Sequence, residues 1–317
     1  MDDRKKAVIL RVGGLGDCLI LTPIAKALHN KGYDVDVLIG SPTGEVHELI
    51  EGLPYIHSAK KITRVNAIDC VSIAKDTFVS VECIKPKYDL VVDLKFSVEN
   101  NHPQYHSSEG WRDSINSNYQ NWVDISLGWA NIDPMKVADE DKLPEIVLPS
   151  SYTDWVKASV VGEKGVRNFH VIGIQLQASS LIRTWYKMNE LPERICNEYP
   201  NDVILLFGDN AWWIFTKNGR QKFEIPEGNS LLWSAALISQ MDAFIAADSG
   251  MSHIAEAVKT ETIGVYTTVP AWTRTKYYKH AHPIEADVEC YPCFTLHVFV
   301  LLRLRRHKNQ LVRENAR

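Results

Sequence analysis

The chain has 317 residues, 45% of them hydrophobic, and a formal net charge of −4, enough length for two ordinary domains and no global field for nucleic acid. No apolar stretch approaches the ~20 residues of a membrane-spanning helix, and the charged opening Met1–Lys6, running straight into an apolar strand, reads against a secretory leader. Six scattered cysteines suit a reducing cytoplasm better than a disulfide framework.

Ala7 to Val12 has the length and composition of a buried strand. It ends at Gly13-Gly14-Leu15-Gly16-Asp17, which opens a helix with apolar residues at Leu21, Ile24, Ala25 and Leu28. Val35 to Ile39 reads as a second strand, Gly44 to Ile50 as a short helix, Ile56 to Ile62 as a third strand and Ile68 to Val79 as a helix. Tyr88 to Leu94 is β-branched and apolar between polar flanks, the pattern of a buried strand. Ser97 to Lys142 is polar, with Trp111, Trp122 and Trp129 interspersed, and reads as loops and short helices over a ligand face. Tyr152 to Val161 suits a helix, and Gly162 to Asn168 a linker.

A second alternating series follows. Val171 to Leu176, Val203 to Phe207, Ala243 to Ala247 and Thr262 to Tyr266 read as strands; Glu190 to Tyr199, Leu231 to Met241 and Met251 to Val258 read as helices. Two α/β units in tandem, without repeated sequence, leave a cleft between facing strand ends.

Two corners carry the chemistry. The first is not a dinucleotide fingerprint: counting from Gly14, the third glycine would fall on Leu19. It is a glycine-rich turn that ends in a carboxylate, and Asp17 could cap the helix or act on a ligand. The second is Asp248-Ser249-Gly250-Met251-Ser252-His253, at a strand end and a helix start. Free N–H groups around Gly250 and Met251, the helix dipole and the Ser249 hydroxyl make an anion site; His253 could reach the ligand or simply pack. Ser179, Ser180 and Arg183 follow the first strand of the second half, on the same sheet edge if the sheet is parallel, and Arg183 there would neutralise a diphosphate. Gly208, at the end of the next strand, could touch a nucleoside. Cys290 and Cys293 form a lone C-x-x-C, and His280, His282 and His297 match no familiar zinc spacing beside it.

Arg11 to Pro23 resembles the opening R-x-G-G-L-G-D-x-L-x-x-T-P of glycosyltransferase family 9, the lipopolysaccharide heptosyltransferase group. Tyr88 to Leu94 is similar to that family's "yDlviDlq" segment, Ala246 to Val269 to its "DTGlxHlaaalgkPvvalfG" segment, and Cys290-Tyr291-Pro292-Cys293 to its C-x-P-C. The resemblance implies a GT-B fold, an α/β architecture of two Rossmann-like doubly wound domains facing a central cleft: residues 1–161 on the acceptor side and 162–293 binding the nucleotide sugar. Residues 294–317 lie beyond it and read as a basic, helical tail. The resemblance also implies Asp17 as the general base, Asp248, Ser249, Gly250 and His253 with Arg183, Ser179 and Ser180 around the donor phosphates, and Lys95 toward the acceptor. The positions of the residues themselves add Met251 at the phosphates and Gly13, Gly14, Gly16 and Gly208 in the cleft. Inversion without a metal or other cofactor is implied too.

The expected function is therefore a cytoplasmic, inverting glycosyltransferase moving a heptose-like sugar, from ADP-heptose in the first instance, to a cell-surface glycan or lipopolysaccharide-type glycolipid. The alternative is a nucleotide-sugar-binding module of the same fold without transfer. Val298 to Arg317 departs from the family, with six Lys/Arg against one acid. It reads as a divergent helix packed on its apolar side, or as a basic stretch touching the inner membrane surface.

Overall fold

Strand β1 (Lys5–Val12) alternates in two directions at once: Ala7 and Ile9 enter one core, Val8 and Leu10 another. A strand apolar on both faces belongs in the middle of a covered sheet. β1 lies between β2 (Tyr33–Gly40) and β6 (Leu90–Asp93), parallel to both, and β3 (Ser58–Asn66) runs parallel outside β2. An antiparallel pair, β4 (Cys70–Ile73) and β5 (Phe78–Ser80), completes the order β5-β4-β3-β2-β1-β6. Helices α1 (Leu15–Leu19), α2 (Leu21–Asn30) and α3 (His47–Ile50) cover this sheet, α2 burying Leu21, Ile24, Ala25 and Leu28 as their spacing predicts.

The computed structural model describes residues 4–41, 44–66, 70–73, 78–80, 87–94, 120–178, 181–208, 211–228, 230–288 and 291–292. Lys95, Ser179, Ser180, Cys290, Cys293 and the tail 294–317, with its expected helix, lie outside them, as does 97–119 of the polar stretch. Among the described residues, no helix is long and apolar enough to cross a membrane.

Between the sheets come α4 (Trp122–Trp129), capped by the Asn121 side chain, and α5 (Ser150–Val156), which continues through a wider helical turn over Lys157–Val161. The second sheet is built on β7 (Val171–Gln175), β8 (Val203–Gly208), β9 (Ala211–Thr216), β10 (Gly219–Phe223), β11 (Ala243–Ala247), β12 (Thr262–Tyr266) and β13 (Ala281–Glu285), in the order β10-β9-β8-β7-β11-β12-β13. All neighbours from β8 through β13 pair in parallel; β9 and β10 are antiparallel additions. Its helices are α6 (Leu191–Glu198), α7 (Ser230–Ser239), α8 (Gly250–Ala257) and α9 (Trp272–Thr275). α7 is buried from Leu231 to Ile238, and Tyr152 and Trp155 of α5 stack on its Trp233 at 4.3 and 5.1 Å. One apolar core runs through both lobes, from Ile9 and Leu19 to Leu237 and Ile254.

The sequence expectations fail at the sheet margins. Ile68 to Val79, expected as a helix, is a pair of antiparallel strands over its described part, with Val71 and Ile73 of β4 paired onto β3 and Val79 of β5 paired onto Val71. The β9–β10 hairpin is not among the expected strands, although Asn218-Gly219 is a strong hairpin signal. Neither is β13, whose Pro283 is tolerated because the strand ends the sheet.

Both sheets reverse their winding direction at one place: between β1 and β6 in the first, between β7 and β11 in the second. Ligands of open α/β sheets bind beyond the carboxyl ends of strands at such reversals. The two glycine corners follow β1 and β11.

Candidate active site

The chain leaves β1 through a turn anchored by the Gly13 N–H on the Gly40 carbonyl at 3.0 Å. Asp17 is the third residue of α1. Its Oδ2 accepts from the Gly14 N–H at 2.9 Å, satisfying a donor that the helix start leaves over. Its Oδ1 accepts from Arg11 at 2.9 Å, and Arg11 also donates to the Asp17 and Leu94 carbonyls. Arg11 is buried and ties the corner to the end of β6, while the Asp17 side chain keeps 23% exposure at the cleft. One carboxylate thus caps the turn and also faces the cleft, which were alternatives on sequence grounds.

The second corner is built differently. Ser249 caps α8: its Oγ accepts from the Met251 N–H at 3.3 Å and donates to Gln175 Oε1 at 2.6 Å. Asp248 precedes the helix and is buried. Arg183 donates to its carbonyl at 3.0 Å and stands 3.9 Å from its carboxylate, whose other oxygen lies 3.6 Å from Arg274 Nε. His253 is 2% exposed and bonded through Nδ1 to the Tyr278 hydroxyl; burial lowers its pKa to about 4, so it is neutral at pH 7. It therefore packs and presents an uncharged ring edge to the cleft.

The corners touch. A Cβ on Gly16 would stand 2.6 Å from His253 Cδ2, and one on Gly250 would stand 2.5 Å from Leu15 Cβ and 2.8 Å from the Gly16 nitrogen. Only glycine lets the starts of α1 and α8 meet at this distance.

Around that contact lies a cleft of about 420 Å³, within the range of about 300–1,000 Å³ usual for small-molecule sites. Gly14, Leu15, Gly16 and Asp17 form one wall; Arg183, Asp248, Ser249, Gly250, Met251 and His253 form the other. The structure thus brings together Gly14, Gly16 and Asp17 of the first corner, Asp248, Ser249, Gly250, Met251 and His253 of the second, and Arg183; Ser179 and Ser180 lie outside the described residues. Gly13 sits behind Asp17 rather than on the cleft wall, and neither it nor Gly208 lines the cleft. Sequence reasoning missed Gln175, Gln177, Trp122, Phe207, Trp212 and Ser234, which also line it. Gln175 ends a strand beside the second corner and could have been found on that ground; Trp122 and Trp212 arrive through tertiary packing alone. Among the described residues, Glu45, His47 and Glu48 bring possible metal ligands within 4.8 Å of one another, but outside this cleft, and Glu45 already pairs with Lys61.

The model of glycosyltransferase family 9 (heptosyltransferase) matches residues 220–298. No curated protein sequence matches the chain. Solved structures do. The glycosyl transferase family 9 from Veillonella parvula DSM 2008 is 13% identical, with a TM-score of 0.59 over 90% of this chain and 87% of that one. The ADP-heptose lps heptosyltransferase II of E. coli is 13% identical, with a TM-score of 0.52 over 95% and 99%. The iron-containing dodecameric glycosyltransferase TibC from enterotoxigenic E. coli H10407 is 14% identical, with a TM-score of 0.55 over 93% and 68%. The fold is the GT-B fold, and the family match spans the Asp248 motif and agrees with its resemblance, whereas the opening motif at Arg11–Pro23 lies outside the matched residues.

Proposed function

We propose that the protein is an inverting glycosyltransferase that moves a heptose-like sugar from a nucleotide-diphospho-sugar to a hydroxyl of a surface glycan or lipopolysaccharide-type glycolipid. The observation that carries this reading is the convergence of Asp17 from one lobe with Arg183 and the α8 start from the other on a single cleft. ADP-heptose is the first donor to test, since a heptosyltransferase of the same fold is named for it.

Each Asp17 oxygen already accepts one hydrogen bond, which fixes the carboxylate plane and leaves lone pairs for an acceptor hydroxyl. As that hydroxyl attacks the anomeric carbon, Asp17 takes its proton; the nucleoside diphosphate departs from the opposite face. The departing charge meets the positive end of the α8 dipole at Gly250 and the Arg183 guanidinium, both oriented before the reaction. Such a charge set supports turnover without a metal. Work at the cytoplasmic side, where nucleotide sugars and reduced thiols coexist, fits the scattered cysteines.

The test is a panel of nucleotide sugars in a thermal-shift assay, followed by transfer with lipopolysaccharide-type acceptors with and without chelator. Stabilisation by ADP-heptose and chelator-resistant transfer support the reading. Binding without transfer to any acceptor, or hydrolysis alone, favours the binding module, and absence of nucleotide-sugar binding removes both.

A further inference from the structure

Arg274 is a buried cation that the proposed chemistry does not use. It sits in α9, 4% exposed, and does not form part of the cleft wall. A guanidinium at such a site needs compensation from its surroundings. It finds three partners. Its Nε stands 3.6 Å from Asp248 Oδ1, one of its terminal nitrogens donates to Thr273 Oγ1 at 2.9 Å, and its guanidinium carbon lies 3.3 Å from the centre of the Trp122 ring.

Trp122 belongs to the other lobe, and its place is fixed independently of Arg274. The Asn121 side chain donates to the Trp272 and Thr273 carbonyls at 3.1 and 3.3 Å. Asp124, one helical turn on, accepts from Lys276 at 2.9 Å and from the Tyr277 hydroxyl at 2.6 Å. The α4–α9 junction is therefore a firm backing, and Arg274 is clamped between it and the Asp248 carboxylate.

We propose that Arg274 is a positioning residue for the donor diphosphate: it holds the Asp248 carboxylate from behind, so that Arg183 stays turned to the cleft instead of collapsing onto Asp248. Arg183 is anchored by the Asp248 carbonyl at 3.0 Å but stands 3.9 Å from the carboxylate, with 23% of its side chain open. Without Arg274, Arg183 is the cation that the described residues still place beside the buried carboxylate, and closing that gap withdraws the guanidinium from the ligand. Among the described residues, the two corners gather three arginines, Arg11, Arg183 and Arg274, around two aspartates, Asp17 and Asp248, a composition that suits an anion. The identity of that anion rests on the transferase reading; the coupling of Arg274 to Arg183 does not.

The experiment is a double-mutant cycle read by calorimetric binding of ADP, inorganic pyrophosphate and adenosine. Arg274→Gln is expected to weaken ADP and pyrophosphate about tenfold, the scale of one charge-assisted contact, with adenosine affinity unchanged. In the Arg183→Gln background, the same change is expected to cost nothing further. Arg274→Lys, which keeps the buried charge but not the planar fork, guards against misfolding; about a threefold loss is expected, again absent beside Arg183→Gln. Unchanged ADP affinity in both Arg274 variants, losses that add to that of Arg183→Gln, or a parallel fall for adenosine overturns the proposal alone. Wild-type protein that binds neither ADP nor pyrophosphate overturns the transferase reading, and this inference falls with it.

Discussion

The corners at Gly13–Asp17 and Asp248–Met251 share a plan, a buried strand, a glycine turn, an aspartate and a helix start, yet their aspartates have opposite fates. Asp17 follows its helix start and points back over the turn, so one side of the carboxylate meets the cleft while Arg11 holds the other. Asp248 precedes its helix and is enclosed, with arginines on both sides. A shift of the acid from one side of the helix start to the other separates a group that can exchange a proton with a ligand from one that organises cations. Local sequence similarity between the corners would miss this; position relative to the helix start captures it.

Four experiments can break or sharpen that contrast. The largest effect is expected at Asp17: Asp17→Asn should slow transfer about 10²–10⁴-fold in single-turnover assays while ADP affinity changes little. Asp248→Asn should instead cost stability, about 3 kcal/mol by urea unfolding, because Arg274 loses its buried counter-charge. Equal rate losses for the two variants would erase the distinction.

The third concerns pH. His253 is held neutral with a pKa of about 4, below its unfolded value, so the unfolded chain takes up the proton first as the solution is acidified. Its contribution to stability is complete above pH 6.5 and is lost as the pH falls from 6.5 toward 4. The unfolding free energy of His253→Asn, read from urea titrations, should therefore fall less than that of wild type over this window, by up to about 3 kcal/mol. The smallest effects are expected at the glycines. Gly250→Ala drives a methyl against Leu15 and the Gly16 backbone and should cost about 1–3 kcal/mol in thermal unfolding. Gly14→Ala meets only Asp17 Oδ2 at 3.4 Å and should cost less than about 1 kcal/mol.

What could be read from the sequence follows from what is local. β1, β2, β7, β11 and β12 are apolar runs, and both corners lie where glycines and aspartates mark them. The margins were harder to read. Cys70 to Ser80 alternates only weakly, and β13 carries His282 and Pro283, so their strand character comes from a neighbouring strand that offers its edge. At the site, Asp17, Arg183 and Ser249 could be named from motif and position. Arg274, Trp122 and Trp212 could not, since each acts on a residue or cleft wall far away in the chain and nothing in its immediate sequence announces the partner.

The hairpin that closes the second sheet has one more consequence. β10 is the outermost strand, and Gly219 to Lys222 are all exposed, with Arg220 laid over the Trp213 ring at 4.0 Å. A rim carrying two cations in five residues is a poor template for a stray strand, since any addition would have to desolvate Arg220 and Lys222. The charged rim thereby shields this edge of the second sheet against edge-to-edge aggregation.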